Sequence, residues 1–327
     1  MSKIIASKNE RIDIFLANEL NETRSKVSSL IKDKNVLVNN KEIKCSYKLN
    51  IGDEIKINYP EIKNTRIKFQ VNFDVKIIYE DEHILVVNKP SGIATHGASS
   101  LKEASLVEWL LEKNYKLADI NGNVRAGIVH RLDKDTSGIM VVAKSNEAYL
   151  KLAEQIKNRQ IDRIYLAITN LSINTKSIEK YIKRNDKNRL KMQALSKDEC
   201  IKKYGANNER WGKWAKTYFL NLFNKEEKNL IAAKLVSGRT HQIRVHLASI
   251  NRFILGDTIY SKIYAKRLML HSFLLRFNHP INNNAMCFIA ECDDDFKECL
   301  KDFDDLKLDF DFANNILNTF KNGIENA

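Results

Sequence analysis

The densest group of chemically useful side chains in this sequence is the run VHRLDKDTSG at residues 129–138. It carries two carboxylates, Asp133 and Asp135, and it lies between apolar runs at 126–129 and 139–143 that are typical of buried strands. Charged groups held between buried strands cost free energy unless they are partnered. We therefore predict a rigid loop in which an Asp serves as a general base, a nucleophile or half of a structural ion pair.

A second charged cluster, GRTHQIRVH, follows a predicted strand and contains Arg244. A helix is predicted to begin there, with Thr240 as a possible N-cap and with Ile243 and Leu247 facing the core. A buried Arg needs an acid, and a buried acid needs a cation. We therefore predict an ion pair between Arg244 and Asp133, which would keep the carboxylate ionised and oriented at neutral pH.

Other kinds of site are poorly supported. His241 and His246 are five residues apart, which is not the spacing that places two ligands on one helix face, and the five cysteines include no C-x-x-C pair. We expect no metal and no cofactor. His130 is interpreted as a hydrogen-bonded structural residue, and Leu132 interrupts any match to the H-R-D loop of protein kinases.

Composition indicates the kind of partner. The chain has 327 residues and a formal net charge of +13, from 54 Lys and Arg against 41 Asp and Glu. Such a surplus favours nucleic acid or an acidic membrane surface, although a lysine-rich surface without a partner would look the same. No apolar run approaches the roughly 20 residues of a membrane span, and the N-terminus lacks a secretion signal. We expect a cytoplasmic protein with reduced cysteines and no membrane partner.

The elements that must position these residues indicate an α+β protein. Strand pairs that look like hairpins mix with helices without the rhythm of a doubly wound fold, so a mixed, largely antiparallel sheet flanked by helices is predicted. A small α/β module is predicted at 1–60, a linker at 61–74 and the main domain at 75–327. Residues 176–203 are rich in cations, which suggests either a flexible basic arm or a solvated insertion.

The N-terminal module resembles the S-four-like RNA-binding domain, on residues 11–13, 23–26, 36–39 and 51–53. Two glycines usual in that pattern are replaced here. The substituting residues are Lys34 and Asn40. The resemblance implies that one helix face holds phosphates without reading sequence, and that its cations are Arg24, Lys26 and Lys32. The alternative is an ordinary solvated face.

The main domain resembles the RluA-type pseudouridine synthases. Residues 125–138 match the family's signature and 238–246 match its later motif, while 88–92, 165–167 and 270–271 fall in the expected order. The family isomerises uridine in RNA by breaking the N-glycosidic bond, rotating the base and rejoining it through carbon. The reaction is redox-neutral and uses no cofactor.

By this resemblance, Asp133 is the catalytic carboxylate, and whether it attacks the sugar or abstracts a proton stays open. Tyr165 would stack on the target base, and Arg244 would pair with Asp133. Arg131 would enter the RNA stack where the uridine has been flipped out, which offsets part of the cost of unstacking. Leu270 would pack near the base.

The lead-in at 125–129 and the stretches 183–194 and 255–260 look most like the D-type synthases of large-subunit rRNA. The substrate would be that rRNA or an assembling subunit, and no protein partner can be inferred. C-type or tRNA synthases, and a non-catalytic RNA-binding or ribosome-assembly factor on the same fold, are the alternatives. Arg163 departs from the Lys common two residues before the Tyr, and the segment 197–211 is longer than usual.

Overall fold

Two separate hydrophobic cores divide the chain at residue 67, into units Met1–Ile67 and Lys68–Ala327. The computed structural model describes residues 2–20, 24–58, 69–97, 101–120, 122–206, 208–225, 227–303 and 306–323. Within these ranges, no helix has both the length and the apolar character that crossing a membrane requires. The linker predicted at 61–74 lies mostly outside them, and its described residues Val71 and Phe73 pack on the larger unit.

The smaller unit is a four-stranded antiparallel sheet with two helices. Its elements are β1 (Ser2–Ile5), α1 (Ile12–Glu19), α2 (Arg24–Lys32), β2 (Val36–Val38), β3 (Lys41–Glu42) and β4 (Glu54–Ile57). The strand order is β1-β4-β2-β3. Apolar residues of both helices, such as Phe15 and Ile31, are buried against the sheet residues Val38 and Ile55.

The two positions where glycine is usual have a left-handed backbone. Lys34 has φ 59° just after α2, and Asn40 has φ 63° in the turn between β2 and β3. Glycine adopts this region without steric cost, and Asn does so more readily than other residues. The left-handed backbone at these two positions is therefore formed here without glycine.

The larger unit is built on one ten-stranded sheet. Its strands are β5 (Lys76–Glu80), β6 (Ile84–Lys89), β7 (Ser137–Ala143), β8 (Asp162–Thr169), β9 (Ser177–Arg184), β10 (Met192–Leu195), β11 (Lys213–Lys225), β12 (Lys228–Leu235), β13 (Leu270–Asn278) and β14 (Ala285–Ile289). The order is β10-β9-β11-β12-β8-β13-β7-β6-β5, and β14 pairs with β13. The helices are α3 (Leu106–Glu112), α4 (Asn146–Lys157), α5 (Lys197–Tyr204), α6 (Gln242–Ala248), α7 (Asp294–Leu300) and α8 (Phe310–Gly323).

Both faces of the sheet are covered near its middle. Residues of α3, α7 and α8 pack in one cluster with alternate residues of β6 and β7, and α4 packs in a second cluster with the others. All seven residues of β7 are consequently buried, which explains its continuous apolar sequence. The predicted class, a mixed and largely antiparallel sheet flanked by helices, is confirmed.

The prediction for residues 176–203 is wrong. They form neither a flexible arm nor a solvated insertion, because β9 pairs antiparallel with β11, β10 pairs antiparallel with β9, and α5 follows them. Ile178 and Ile182 are buried on one face of β9, and Cys200 of α5 is also buried. The many cations of this segment are partly buried or exposed, and they conceal the strand pattern.

β7 and β13 form a parallel pair, in which His271 and Ser272 lie opposite Ser137 and Gly138. Gly138 has φ 115°, and a Cβ built on it would lie 2.2 Å from the carbonyl oxygen of Ser272. The absence of a side chain at Gly138 therefore allows this pairing.

We expect Gly138→Ala to destabilise the protein far more than Gly205→Ala. Both glycines have positive φ, but a Cβ at Gly205 would meet nothing within 4 Å. The control should cost about 1–3 kcal/mol for its backbone conformation, whereas Gly138→Ala adds a clash with the backbone of β13. Urea unfolding of the two variants measures the difference, and equal losses would show that the close approach is unimportant.

Candidate active site

A cavity of about 500 Å³ opens beside the loop that precedes β7. We call it the active-site cavity. One carboxylate lines it, that of Asp133, together with six cationic side chains: Arg131, Lys157, Arg159, Arg163, Arg239 and Arg244. A concave site with this excess of positive charge attracts a polyanion.

The structure brings four of the predicted site residues together in this cavity. Asp133 lies in the loop before β7, Tyr165 lies in β8, Arg244 is in the first turn of α6, and Leu270 begins β13. A fifth, Arg131, also lines the cavity but is exposed, with its Nη1 3.4 Å from Nε2 of His96. These five residues come from four separate segments of the larger unit, namely a loop, a helix and two strands.

The backbone of the loop is held by the segment that follows β6. The Nζ of Lys89 donates to the carbonyl oxygen of Lys134 at 3.1 Å, and Ser91 Oγ donates to that of Asp135 at 2.7 Å. Thr95 Oγ1 donates to the carbonyl oxygen of Leu132 and accepts from its amide. Burial lowers the pKa of Lys89 to about 7. The sequence indicated this segment as a motif but not as the support of the loop.

His130 is a structural residue, as predicted. Its Nε2 accepts a hydrogen bond of 3.1 Å from the amide of Val141 in β7. Burial lowers its pKa to about 3, so the imidazole is neutral at physiological pH.

The ion pair predicted between Arg244 and Asp133 is present, with 3.3 Å from Nη1 to Oδ2. Arg244 has a closer second partner that the sequence reasoning missed. Its Nε and Nη2 donate to the two oxygens of Asp257 at 2.8 and 2.7 Å. Asp257 also accepts from the amides of Ile259 and Tyr260. The sequence signal that could have identified Asp257 is a Gly-Asp pair after an apolar run, together with a buried Arg whose guanidinium can bind two carboxylates.

The three charges are buried together. The side chains of Arg244 and Asp257 are 3% and 2% exposed, and that of Asp133 is 16% exposed. Burial alone would lower the pKa of Arg244, but its hydrogen bonds to Asp257 outweigh this and raise the pKa above its usual value. Burial would likewise raise the pKa of Asp257, and Arg244 holds it below the usual range. Arg244 and Asp257 therefore stay charged at neutral pH.

The start of α6 differs from the prediction. Thr240 is not the N-cap; His241 is, with a left-handed backbone at φ 56° and no side-chain cap hydrogen bond. This conformation turns the imidazole into the cavity, with Nε2 3.9 Å from Oδ2 of Asp133 and Nδ1 3.0 Å from the hydroxyl of Tyr260. Burial lowers the pKa of His241. A neutral imidazole thus lies beside the carboxylate.

Tyr165 and Leu270 contribute to the apolar lining of the cavity. They are 5% and 3% exposed. Burial raises the pKa of Tyr165, which also shares a hydrogen bond with Ser272. An aromatic ring and an aliphatic side chain beside an ionised carboxylate suit a planar, partly polar group.

The cations predicted to hold phosphates belong to the smaller unit. Arg24 donates to the buried carboxylate of Asp13 at 2.6 Å, and so it has a structural role there. Lys32 is exposed and lines a groove with Lys34 and Lys44. The side chain of Lys26 lies outside the described residues.

The arrangement in the larger unit can place an ionised carboxylate against a planar group of a polyanionic molecule. Arg244 and Asp257 fix the orientation of Asp133, as a general base or a nucleophile requires.

Comparison with known proteins gives two family matches. The family described as RNA pseudouridylate synthase matches residues 83–249, and the S4 domain family matches residues 10–55. A Helicobacter pylori protein named as an uncharacterized RNA pseudouridine synthase is 40% identical over 316 residues, covering 94% of each chain. The ribosomal large subunit pseudouridine synthase D of Borreliella burgdorferi is 35% identical over 321 residues, covering 92% of this chain and 93% of that one.

A solved structure shares the fold. Human RNA pseudouridylate synthase domain containing 4 superposes with a TM-score of 0.51 at 21% identity, over 69% of this chain and 91% of that chain.

We expect Asp257→Ala to lower the free energy of unfolding by about 3–5 kcal/mol, because it leaves a buried guanidinium with only its longer contact to Asp133. Asp302→Ala is the control, since Asp302 pairs with Lys228 and their side chains are 43% and 42% exposed. Its loss should cost less than about 1 kcal/mol. Urea unfolding followed by tryptophan fluorescence compares the two, and a small, equal effect would contradict the importance of Asp257.

Proposed function

The chain belongs to the RNA pseudouridylate synthase family, and from that premise we propose that it isomerises specific uridines to pseudouridine in large-subunit ribosomal RNA. The enzyme is an RNA pseudouridine synthase, an isomerase, and its substrate is RNA. The finer proposal concerns which RNA it modifies and which residues carry the reaction. Its domains would be an S4 RNA-binding domain at 1–60 and a catalytic domain at 75–327, joined by a linker at 61–74.

The observation that carries this proposal is the Asp133 carboxylate paired with Arg244 in a cavity lined by cations. Asp133 is the catalytic group, either as the nucleophile at the sugar or as the base that removes a proton. Arg244 keeps it ionised and oriented, 3.3 Å away. Tyr165 stacks on the target uracil, and Leu270 packs at its edge.

Arg131 supports the proposal that the target base leaves the RNA stack. It lies two residues before Asp133 on the same loop and is exposed at the cavity. A planar guanidinium can fill the gap that a flipped uridine leaves, and so it offsets part of the cost of a few kcal/mol.

Large-subunit rRNA is favoured by the relative whose name carries that substrate, with 35% identity over nearly the whole chain. The S4 domain adds a second surface for RNA, on which Lys32 and its neighbours would hold phosphates without reading bases. Either free rRNA or an assembling subunit is compatible with this arrangement. Other rRNA positions and tRNA are outcomes that site mapping would reveal.

The rival function is a non-catalytic RNA-binding or ribosome-assembly factor. A binding surface gains little from a buried triad of Asp133, Arg244 and Asp257, because burying charges costs several kcal/mol per ion before they are paired. Cations on the rim alone would be sufficient for binding. The presence of the triad therefore favours catalysis.

We expect Asp133→Asn to abolish pseudouridine formation while the protein stays folded, because the amide is nearly isosteric but neither ionises nor attacks. Pseudouridine is mapped in the rRNA of cells that lack the protein and of cells that express Asp133→Asn. Asp135→Asn, on the same loop, is the control and should restore modification. An rRNA pattern that is the same with and without the protein would refute the substrate, and full activity of Asp133→Asn would refute the role of Asp133.

We expect Lys32→Ala to weaken RNA binding without slowing the chemical step at saturating RNA. Loss of one phosphate contact should reduce the slope of log affinity against log salt by about 1. Lys8→Ala is the control, since Lys8 is an exposed cation of the same unit outside the groove. Filter binding to rRNA from the deletion strain, at several salt concentrations, measures both. An unchanged slope for Lys32→Ala would place the RNA elsewhere on the unit.

A further inference from the structure

Arg163 lines the active-site cavity, and the proposed function assigns no role to it. It is the second residue of β8 and precedes Tyr165 by two positions, so the two side chains lie on the same face of the strand. Both line the active-site cavity. Arg163 is only 6% exposed.

Its guanidinium is buried without an acid. Across the described part of the chain, Arg163 forms no ion pair, and its buried Nε has no hydrogen-bond partner. The nearby ionisable groups are Tyr165 and His130, neither of which carries negative charge at neutral pH. Burial lowers the pKa of Arg163, yet an Arg stays protonated in proteins.

The fold accommodates this cation closely. A Cβ on Gly238 would lie 2.9 Å from Nη1 of Arg163, so the turn after β12 passes directly over the guanidinium. A buried charge without a partner costs several kcal/mol. Groups aimed at a charge that develops during a reaction are a known reason for such a cost.

The proposed reaction generates an anion of the right kind. When the bond between C1′ and N1 breaks, its electron pair stays on N1, and the uracil becomes an anion whose charge spreads over O2 and O4. This holds whether Asp133 bonds to C1′ or removes a sugar proton. After rotation, C5 bonds to C1′ as the ester bond to Asp133 breaks or, on the other route, as Asp133 returns its proton to the sugar. The proton on C5 is then released to a base and N1 takes up a proton, so the reaction is an isomerisation.

We propose that Arg163 is a catalytic residue that stabilises the departing uracil anion by donating hydrogen bonds to its carbonyl oxygens. This rests on the proposed function. The other cations of the cavity are engaged or exposed. Arg244 binds two carboxylates, Arg159 stacks 4.7 Å from the ring of Trp214, and Arg239 donates to the carbonyl oxygen of Trp214. Arg131 and Lys157 are exposed.

The test compares Arg163→Met, Arg163→Lys and Arg276→Met in the full chain. Arg276 is the matched control, because it pairs with Asp162, the neighbour of Arg163 on β8, but does not line the cavity. Pseudouridine formation is measured under single-turnover conditions on rRNA from the deletion strain. The Kd for that RNA and the Tm are measured on the same preparations.

We expect Arg163→Met to slow the chemical step by about 100-fold or more, the loss typical of one oxyanion donor, with the Kd changed less than about threefold. The Tm should stay the same or rise, because an apolar side chain replaces a buried unpaired cation. Arg163→Lys keeps the charge and should keep most of the rate. Arg276→Met should react like the unmodified protein.

Three results would overturn the inference. A rate within threefold of normal for Arg163→Met would show that the anion needs no Arg163. A rise in Kd that accounts for the whole loss of activity would show that Arg163 binds an RNA phosphate. A lower Tm, with a rate that cooling restores, would show that Arg163 stabilises the fold. If the unmodified protein forms no pseudouridine while it binds the RNA, the proposed function itself fails.

Discussion

The constraint on which the rest of this structure depends is that the carboxylate of Asp133 must be partly buried and still be accessible to a nucleobase. Taking one ion out of water costs several kcal/mol, and partial burial of a carboxylate would normally favour its protonated form. Arg244 offsets that cost for Asp133, but a buried guanidinium has a larger desolvation cost of its own. Asp257, 2% exposed, supplies the closer pair of hydrogen bonds at 2.8 and 2.7 Å. The long contact to Asp133 can therefore change during a reaction while Arg244 stays in place.

The sheet explains why these groups meet. β7 and β13 run parallel, so the loop before β7 and the first residue of β13 lie at the same end of these two strands. β8 runs antiparallel to β13, with Tyr165 opposite Ser272. This pairing places the ring of Tyr165 near the same end of the strands. The close pairing at Gly138 holds the two strands in register, and Lys89 holds the loop through the carbonyl group of Lys134. Positional accuracy thus comes from the backbone of the central strands.

Local patterns in the sequence were sufficient for the fold class, for the structural role of His130 and for the pairing of Arg244 with Asp133. Local patterns could not predict the contacts that depend on tertiary structure. Asp257 lies 13 residues after Arg244 in irregular chain, and no periodicity indicates which acid closes the pair. The strand at 177–184 was missed because its few buried residues stand among lysines. The cap of α6 was assigned to Thr240 because the left-handed backbone of His241 is imposed by its surroundings.

The two buried guanidinium groups have complementary environments. Asp133 and Asp257 contribute two negative charges, Arg244 and Arg163 contribute two positive ones, and His130 is neutral because burial lowers its pKa to about 3. If Asp133 forms an ester with the sugar or takes up a proton, it loses its charge at the moment the uracil gains one. On the roles proposed for Asp133 and Arg163, the total charge is then conserved, and the negative charge moves from the side of Arg244 to the side of Arg163. A site with one guanidinium at each location stabilises both arrangements without reorganising, which is the property that electrostatic catalysis requires.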